Sequence, residues 1–435
     1  MRAWLGVHLV VLATACGRDD EPSAEPGEAT GTGSSSSAEA DGSTATETDS
    51  DLDPSFDHAQ CAIGLSGTMD WTVSLPSSSE RGGGTDLVPG PDDTLYVIDD
   101  CLSRWSLDGW RQWEVREPAW TCKEVELDAG GEPVVVGWRA TPRGPAPLVV
   151  GFDAEGERRW ELPVDETEPP PEQEPQPTRL ASDLVVDREG RIFVTGLRLP
   201  VDVLGEPNLA WVSLIDPSDG HEVWTYLTEG NAEDLPRLVL AHDRVVLAEP
   251  RRNDVGIDHV VLTTLEPDGQ ELARWSSLDA LGLPLRLLEA DGDVDGWVLL
   301  AGHDPSVETE PTVLVLLEPS GGTRWVRSGL DLPWLNETVE TVALDPCGAV
   351  VLAGAGDPEA ADWGSLWVTK LDRSAEPRWS VFLPSPYFHR STLVHGLYIE
   401  PDGGVLGTGA QVTGVQDLDG DTVVLLDAWA GRLLP

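Results

Sequence analysis

The sequence predicts an all-β fold, a seven-bladed β-propeller of four-stranded blades whose ring is closed by the N- and C-terminal strands. Three observations lead to this prediction. A tryptophan recurs along the chain, a second hairpin pattern falls between successive tryptophans, and the two chain ends carry complementary parts of one repeat.

The first observation is a set of seven tryptophans about 40 to 65 residues apart, a period typical of propeller blades. Around each, alternating apolar residues lead to an acid, then to a glycine, and the tryptophan follows four residues later, as in LVVGFDAEGERRW at 148–160. The alternation predicts a half-buried strand, and the Asp/Pro/Ser/Gly cluster predicts a tight turn. We expect each tryptophan to pack between blades with a partner for its indole N–H. The seven are Trp71, Trp113, Trp160, Trp224, Trp275, Trp325 and Trp379.

The second observation is a hairpin between successive tryptophan units. It is clearest in DLVVDREGRIFVTG at 183–196, TVALDPCGAVVLAG at 341–354 and GLYIEPDGGVLGTG at 396–409. Weaker copies lie at 86–98, 125–137, 238–248 and 287–302. Seven copies of each hairpin predict seven four-stranded sheets, because two hairpins make one blade.

The third observation concerns the two ends of the repeat region. The last segment, TVVLLDAWAGRLLP, has the strand and turn of a tryptophan unit but stops where the tryptophan should fall. The first segment, SGTMDWTVSL, supplies Trp71 four residues after Gly67. The first strand is therefore expected to complete the last blade, which leaves no open edge in the ring.

The D-x-x-G-x-x-x-W turn resembles the repeat of the pyrroloquinoline-quinone-type propellers and their non-enzymatic relatives, and it covers nearly all of 67–435. These copies mostly lack the alanine before the acid and the Thr-Gly-Lys turn of that family. The resemblance implies the fold, and it is poor support for activity. Relatives include quinoprotein dehydrogenases and a propeller lipoprotein of the outer-membrane assembly machinery.

The N-terminal region predicts export and lipidation. Residues 1–15 have one basic residue, a short apolar run and a small-residue cleavage site, as in a signal peptide. The following Cys16 resembles the lipidated cysteine of bacterial lipoproteins, although Ala13 stands where the usual leucine is found. The alternative is an ordinary cleaved signal with an incidental cysteine. Residues 16–57 read as a disordered acidic tether and 58–435 as the propeller. Gly17 after the cysteine favours an outer-membrane or cell-surface lipoprotein.

The charge balance restricts the partners. The chain carries 77 acidic and 28 basic residues, a net charge of −49. This disfavours nucleic acid and anionic membrane surfaces, so contact with the bilayer is expected only through the acylated N-terminus. The acidity suits solubility or cation binding. We expect a monomer.

No catalytic motif stands out, and two acidic loops are the strongest local signals. DGDVDG opens like a calcium loop with Asp291, Asp293 and Asp295, and DLDGDT is a weaker copy with Asp417, Asp419 and Asp421. The alternative is an ordinary Asp/Gly turn. No cofactor is required by the sequence, and calcium is the one cation that it suggests.

Four further cysteines suggest two disulfides in an exported chain. The propeller arrangement favours Cys101–Cys122 and, more weakly, Cys61–Cys347, because each pair lies near one face of the ring. Free buried cysteines are the alternative.

The sequence thus predicts a cell-envelope lipoprotein whose propeller is a non-catalytic binding or scaffold module for an envelope protein or glycan. The alternative is a quinone-dependent dehydrogenase or another propeller enzyme, and no catalytic residue is assigned. Convergence of polar and charged side chains on the axis would favour the enzyme.

Overall fold

Runs rich in Val, Leu and Thr, separated by Asp/Pro/Gly turns, form the strands of this chain. The computed structural model describes residues 69–75, 86–98, 101–107, 110–142, 144–163, 178–200, 207–253, 255–293, 295–329, 338–345, 348–355, 366–383, 392–399, 404–418 and 421–433. These residues form 28 strands and one short helix. No helix among them is long and apolar enough to cross a membrane.

The strands make four-stranded antiparallel sheets. In the first half they are β1 (Met69–Leu75), β2 (Asp86–Gly90), β3 (Thr94–Ile98), β4 (Leu102–Ser106), β5 (Arg111–Val115), β6 (Trp120–Leu127), β7 (Pro133–Thr141), β8 (Gly144–Phe152), β9 (Arg158–Glu161), β10 (Thr178–Val186), β11 (Ile192–Leu199), β12 (Leu209–Ile215), β13 (Glu222–Leu227), β14 (Arg237–Ala241), β15 (Arg244–Arg252), β16 (Asp258–Leu265) and β17 (Glu271–Ser276).

The helix α1 (Ser277–Leu281) follows, capped by Ser276 and by Gly282. The second half contains β18 (Arg286–Gly292), β19 (Val298–His303), β20 (Thr312–Leu317), β21 (Thr323–Ser328), β22 (Thr338–Leu344), β23 (Val350–Ala355), β24 (Leu366–Leu371), β25 (Pro377–Leu383), β26 (Thr392–Ile399), β27 (Val405–Leu418) and β28 (Asp421–Leu433).

The structure corrects the predicted count of seven blades to six regular blades. A regular blade of four consecutive strands occurs six times in the described chain, from β2–β5 to β22–β25. The remaining strands form a composite sheet in the order β1-β28-β27-β26. It differs from the six regular blades because the chain ends meet there and because β27 and β28 are 14 and 13 residues long, well beyond the other strands.

The first strands of the sheets surround the propeller axis. Each of β2, β6, β10, β14, β18, β22 and β26 contacts the next, and β26 contacts β2, which closes the circle. The hydrophobic clusters join neighbouring sheets, as in the cluster that contains Val136 of β7 and Trp211 of β12. The core therefore lies between blades, and the fold places one strand of every sheet on the axis.

Repeat tryptophans dock one blade against the next, but not every indole N–H has the expected partner. The buried Nε1 atoms of Trp160 and Trp379 have no hydrogen-bond partner among the described residues. Three other indoles donate to the carbonyl of the second residue in the turn between the third and fourth strands of the following blade. The pairs are Trp113 with Ala154 (2.8 Å), Trp224 with Pro267 (3.2 Å) and Trp325 with Arg373 (2.8 Å). A glycine of that turn lies against the ring: a Cβ added at Gly156 or Gly269 would meet the indole at 2.9 Å. Glycine is thus required there by the close approach.

Trp275 departs from the repeat, which corrects its assignment to the docking position. In the other regular blades the tryptophan pairs with the third-strand residue that lies directly before a register shift, as Trp224 pairs with Leu214. In β17 the residue at this place is Ala273, paired with Thr264, and Trp275 lies two residues further on. The sequence shows the offset, because Trp275 follows Gly269 by six residues and not by four.

The disulfide between Cys101 and Cys122 is confirmed. It joins the segment before β4 to strand β6 of the next blade, so it links two neighbouring blades near one face. Cys61 and Cys347 lie outside the described residues, as do Cys16 and the predicted signal peptide and tether. The domain boundaries and the second disulfide stay predictions.

Candidate functional site

The axial strands enclose a channel of about 570 Å³, a volume typical of small-molecule sites. Every one of the seven axial strands contributes to its lining. We refer to this cavity as the axial channel.

A β-bulge recurs in five of the axial strands and turns an extra side chain towards the axial channel. The register of each strand shifts by one residue at the same place, as between Ala181 and Asp183 of β10. The bulged residues are Lys123, Ser182, Leu288, Glu340 and His395, and all of them line the channel. Bulges are frequent next to functional sites because they re-aim side chains.

A glycine on the second strand makes each bulge possible. Gly196 lies opposite the bulge of β10, and a Cβ added there would lie 1.7 Å from the backbone oxygen of Leu180. At Gly137 the equivalent distance, to the oxygen of Thr121, is 2.0 Å. The glycine that ends the FVTG, VVVG, LLAG, VLAG and LGTG motifs is therefore the sequence signal of an axial bulge.

The axial channel is strongly acidic. Seven carboxyl groups, two basic groups and one histidine face it. They are Asp86, Glu124, Glu126, Asp183, Glu289, Asp291 and Glu340, with Lys123, Arg237 and His395. The charged side chains converge on the axis, which is the arrangement expected for the enzyme alternative.

Four of the carboxylates tie one axial strand to the next. Each accepts a hydrogen bond from a backbone N–H of the following blade, which satisfies a donor at the inner edge of that axial strand. The bonds are Val125 N to Asp86 (2.8 Å), Leu238 N to Asp183 (2.7 Å), Leu344 N to Asp291 (2.7 Å) and Val394 N to Glu340. These acids therefore hold the ring together as well as charging the channel.

Arg237 lies between two further carboxylates. Its Nη1 donates to Glu124 at 2.8 Å, and its Nη2 lies 3.3 Å from Glu289. Glu289 above all raises the pKa of the guanidinium, which stays charged. This ion-paired triad spans the channel from β6 through β14 to β18.

Burial raises the pKa of most of the channel acids. It raises the pKa of Glu126 to about 8, and those of Asp86, Glu289 and Glu340 to about 7. The pKa of Asp291 rises to about 6 for the same reason. Because protein surrounds these carboxyl groups, their ionised forms are poorly hydrated. Neighbouring carboxylates also repel one another, and both effects raise the pKa.

Two basic side chains, Lys123 and His395, lie beside these acids. Burial lowers the pKa of Lys123, and its ammonium lies 5.2 Å from the centre of the Trp138 ring. Burial also lowers the pKa of His395 to about 4, with Lys123 adding to the effect, so the imidazole is neutral at pH 7. Clusters of perturbed titratable groups in a cavity are typical of functional sites.

We predict that the protein becomes less stable as the pH rises from 6 to 8.5. In this window the unfolded chain has already lost the carboxyl protons, with pKa values near 4, while the folded channel still holds protons. The folded state binds more protons, so the free energy of unfolding falls with pH. His395 acts in the opposite direction only below about pH 6.5. A fall in melting temperature of about 3 °C or more is expected. For a domain of this size, with an unfolding entropy of about 2.1 cal/mol/K per residue, this shift corresponds to about 2 kcal/mol.

The measurement is a series of thermal scans at constant ionic strength. The variant Glu126→Gln lacks the acid with the highest of these pKa values. Its melting temperature should therefore fall less above pH 7 than that of the wild type. Exposed carboxylates are fully ionised throughout this window and provide the baseline. A melting temperature that is flat or rises from pH 6 to 8.5 would contradict the prediction.

The three aspartates of the first predicted calcium loop make contacts in different parts of the structure. Asp291 lies at the axial channel, and its Oδ2 accepts from Leu344 N. Asp293 is buried in the turn, where its Oδ1 accepts from the N–H groups of Asp295 and Trp297. Asp295 lies 3.5 Å from Arg373. Calcium at this loop stays a prediction.

The second predicted loop is only partly described. Asp417 and Asp421 lie near the end of β27 and at the start of β28, Asp419 lies outside the described residues, and nothing is described of the side chains there. Calcium at this loop also stays a prediction.

A different group in the described chain has metal-ligand spacing. Asp216, Asp219 and His221 lie in the turn between β12 and β13, with ligand atoms within 4.8 Å of one another. Asp216 already accepts from the N–H and hydroxyl of Ser218, and Asp219 is bonded to His221. Hydrogen bonding within the turn accounts for this exposed cluster.

The axial channel does not fit the quinone cofactor that the repeat family suggests. Pyrroloquinoline quinone carries carboxylates, and the channel presents mainly carboxyl groups. Arg237 is bound by Glu124 and Glu289. An anionic cofactor would therefore meet like charge, which disfavours its binding.

Several solved structures are similar to this chain. Polysaccharide lyase Uly1 matches with a TM-score of 0.51 at 8% identity, over 87% of this chain and 95% of that one. A catalytically inactive virginiamycin B lyase from Staphylococcus aureus gives 0.48 at 11% identity, over 82% and 98%. Quinohemoprotein alcohol dehydrogenase from Comamonas testosteroni gives 0.45 at 11% identity, over 84% and 76%. These likenesses concern the β-propeller fold and no activity. No protein-family model and no curated protein matches the sequence.

Proposed function

We propose that this protein is a non-catalytic binding module of the cell envelope, and that its axial channel receives a cationic group of the ligand. The observation that supports this proposal is the excess of seven carboxyl groups over two basic groups in one cavity. An envelope protein or glycan, the partner that the sequence predicts, would present an amine or a guanidinium to this channel.

The roles of the channel acids favour binding over catalysis. Four carboxylates bond to the backbone of a neighbouring blade, and two hold Arg237. Such groups are fixed parts of the ring, as a preorganised cation site requires. Glu126 carries no such link, and its high pKa reflects burial among other acids. A bound cation would favour ionised Glu126 and release its proton.

The test is calorimetric titration of the full chain with spermidine, used as a probe with several amines. Binding should release protons and tighten from pH 6 to 8.5, because the acids that hold the cation ionise in this range. The variant Glu126→Gln should weaken binding about tenfold, since a hydrogen bond to a charged group contributes about 1.5 kcal/mol. The control Glu157→Gln makes the same change on an exposed turn and should leave affinity unaltered.

Absence of spermidine binding, or equal binding by wild type and Glu126→Gln, would overturn the channel assignment. Titration with calcium alone separates a metal site from an amine site. Calcium that binds while spermidine does not would favour a metal-binding module.

The envelope location rests on the sequence of residues 1–57. Lipidation at Cys16 would hold the propeller at the outer membrane, since several acyl chains on one cysteine anchor firmly. In cells, Cys16→Ala should move the protein from the membrane fraction to the soluble fraction. Unchanged fractionation would argue against the lipid anchor.

An acid–base enzyme is the second candidate, and one observation favours it. Neutral His395 and Glu340, whose pKa is about 7, lie on adjacent axial strands in the same cavity. Of the two, Glu340 has the pKa that proton transfer near neutral pH requires, whereas an imidazole with a pKa of about 4 is a weak base there. If a ligand of the channel is turned over, Glu340→Gln should abolish turnover and retain binding. A ligand that is recovered unchanged supports the binding role.

A further inference from the structure

One interface between regular blades lacks a docked tryptophan. It lies between the sheet β14–β17 and the sheet β18–β21, where Ala273 occupies the docking position. The following turn has the same form as at other interfaces: Glu318-Pro-Ser-Gly321 corresponds to Glu266-Pro-Asp-Gly269, on which Trp224 docks. The receiving side of the interface is therefore present while the indole is missing.

The missing indole leaves a cleft of about 610 Å³, which we call the Ala273 cleft. A Cβ added at Gly321 would have no described atom within 4 Å, whereas one at Gly220 or Gly269 would meet an indole at 2.7 or 2.9 Å. Gly321 is accordingly exposed, while Gly220 is buried. The surface that receives a ring elsewhere is open to solvent here.

The walls of the Ala273 cleft suit a flat ring. Leu262 and Leu317 form an apolar floor, and Trp275 and Leu272 form one side. Leu272 is 44% exposed. Pro319 stands where Pro267 accepts the Trp224 N–H, so an acceptor carbonyl is expected at the matching point.

We propose that the Ala273 cleft binds a planar aromatic ring that carries an N–H donor, such as the indole of a tryptophan. Three other interfaces of the same chain show an indole N–H that donates to the carbonyl of the second turn residue, and at two of them the ring lies on the turn glycine. The cleft is a separate site from the axial channel, and its occupation does not depend on the function proposed for that channel.

The test is isothermal titration calorimetry of the full chain with N-acetyl-tryptophanamide. Saturable binding is expected. The 1-methylindole analogue should bind about fivefold more weakly, because it lacks the donor for the Pro319 carbonyl and a neutral hydrogen bond contributes about that factor. A short tryptophan-containing peptide, compared with the free amide, distinguishes a peptide source of the ring from a small molecule.

The variant Ala273→Trp is designed to fill the cleft with the chain's own indole. It restores the residue that the repeat places there, so it should fold, melt at or above the wild-type temperature and lose at least tenfold in affinity. The control Ala280→Trp adds an indole at an exposed position of α1 and should keep full affinity. No binding by the wild type, or unchanged affinity in Ala273→Trp, would overturn the proposal.

Discussion

Replacing Arg237 by methionine should destabilise the propeller by about 3 kcal/mol at pH 8, because it leaves Glu124 and Glu289 facing each other without a counter-charge. The loss should be smaller at pH 5, because burial raises the pKa of Glu289 to about 7 and also raises that of Glu124, so less carboxylate charge is left without a counter-charge. Chemical denaturation at the two pH values measures the difference.

Two comparisons make the Arg237 result specific. Arg252→Met removes an exposed arginine that pairs with Asp258 at 2.6 Å, and an exposed pair of this kind contributes little to stability. The triple variant Arg237→Met, Glu124→Gln, Glu289→Gln removes all three charges and should recover most of the stability at pH 8. An equal loss at pH 5 and pH 8 would show that packing of the arginine, and not its charge, stabilises the channel.

Replacing Gly196 by alanine should destabilise the fold by about 3 kcal/mol or more, because the added methyl group would lie 1.7 Å from the backbone oxygen of Leu180. The backbone of the bulge must then move, and with it Asp183, whose carboxylate holds Leu238 N of the next blade. The midpoint of denaturant unfolding measures the effect.

The other bulge glycines give a graded series. An added Cβ would lie 2.0 Å from a backbone oxygen at Gly137 and 2.4 Å at Gly302, so the losses should decrease in the order Gly196→Ala, Gly137→Ala, Gly302→Ala. Gly322→Ala is the control, since its nearest contact is the Ser320 hydroxyl at 3.4 Å. If all four variants unfold alike, the bulges do not constrain these positions.

The composition and spacing of the chain determined much of the architecture. The tryptophan spacing and the hairpin motifs predicted four-stranded blades and the meeting of the chain ends, because strand alternation and tight turns are local properties. The same topology predicted the Cys101–Cys122 disulfide. The predicted count of seven blades is corrected to six regular blades, since only six sheets of the described strands consist of four consecutive strands.

Which side chains line the axial channel is determined only by the tertiary structure. Strand side chains alternate with a period of two, so one bulged residue changes which side chain reaches the axis. The glycine opposite each bulge was visible in the sequence, but its meaning depends on the close approach of Leu180 or Thr121 backbone. The Ala273 cleft has the same origin: a two-residue offset moved Trp275 from the docking place, and only the packing of the next blade shows what that offset left open.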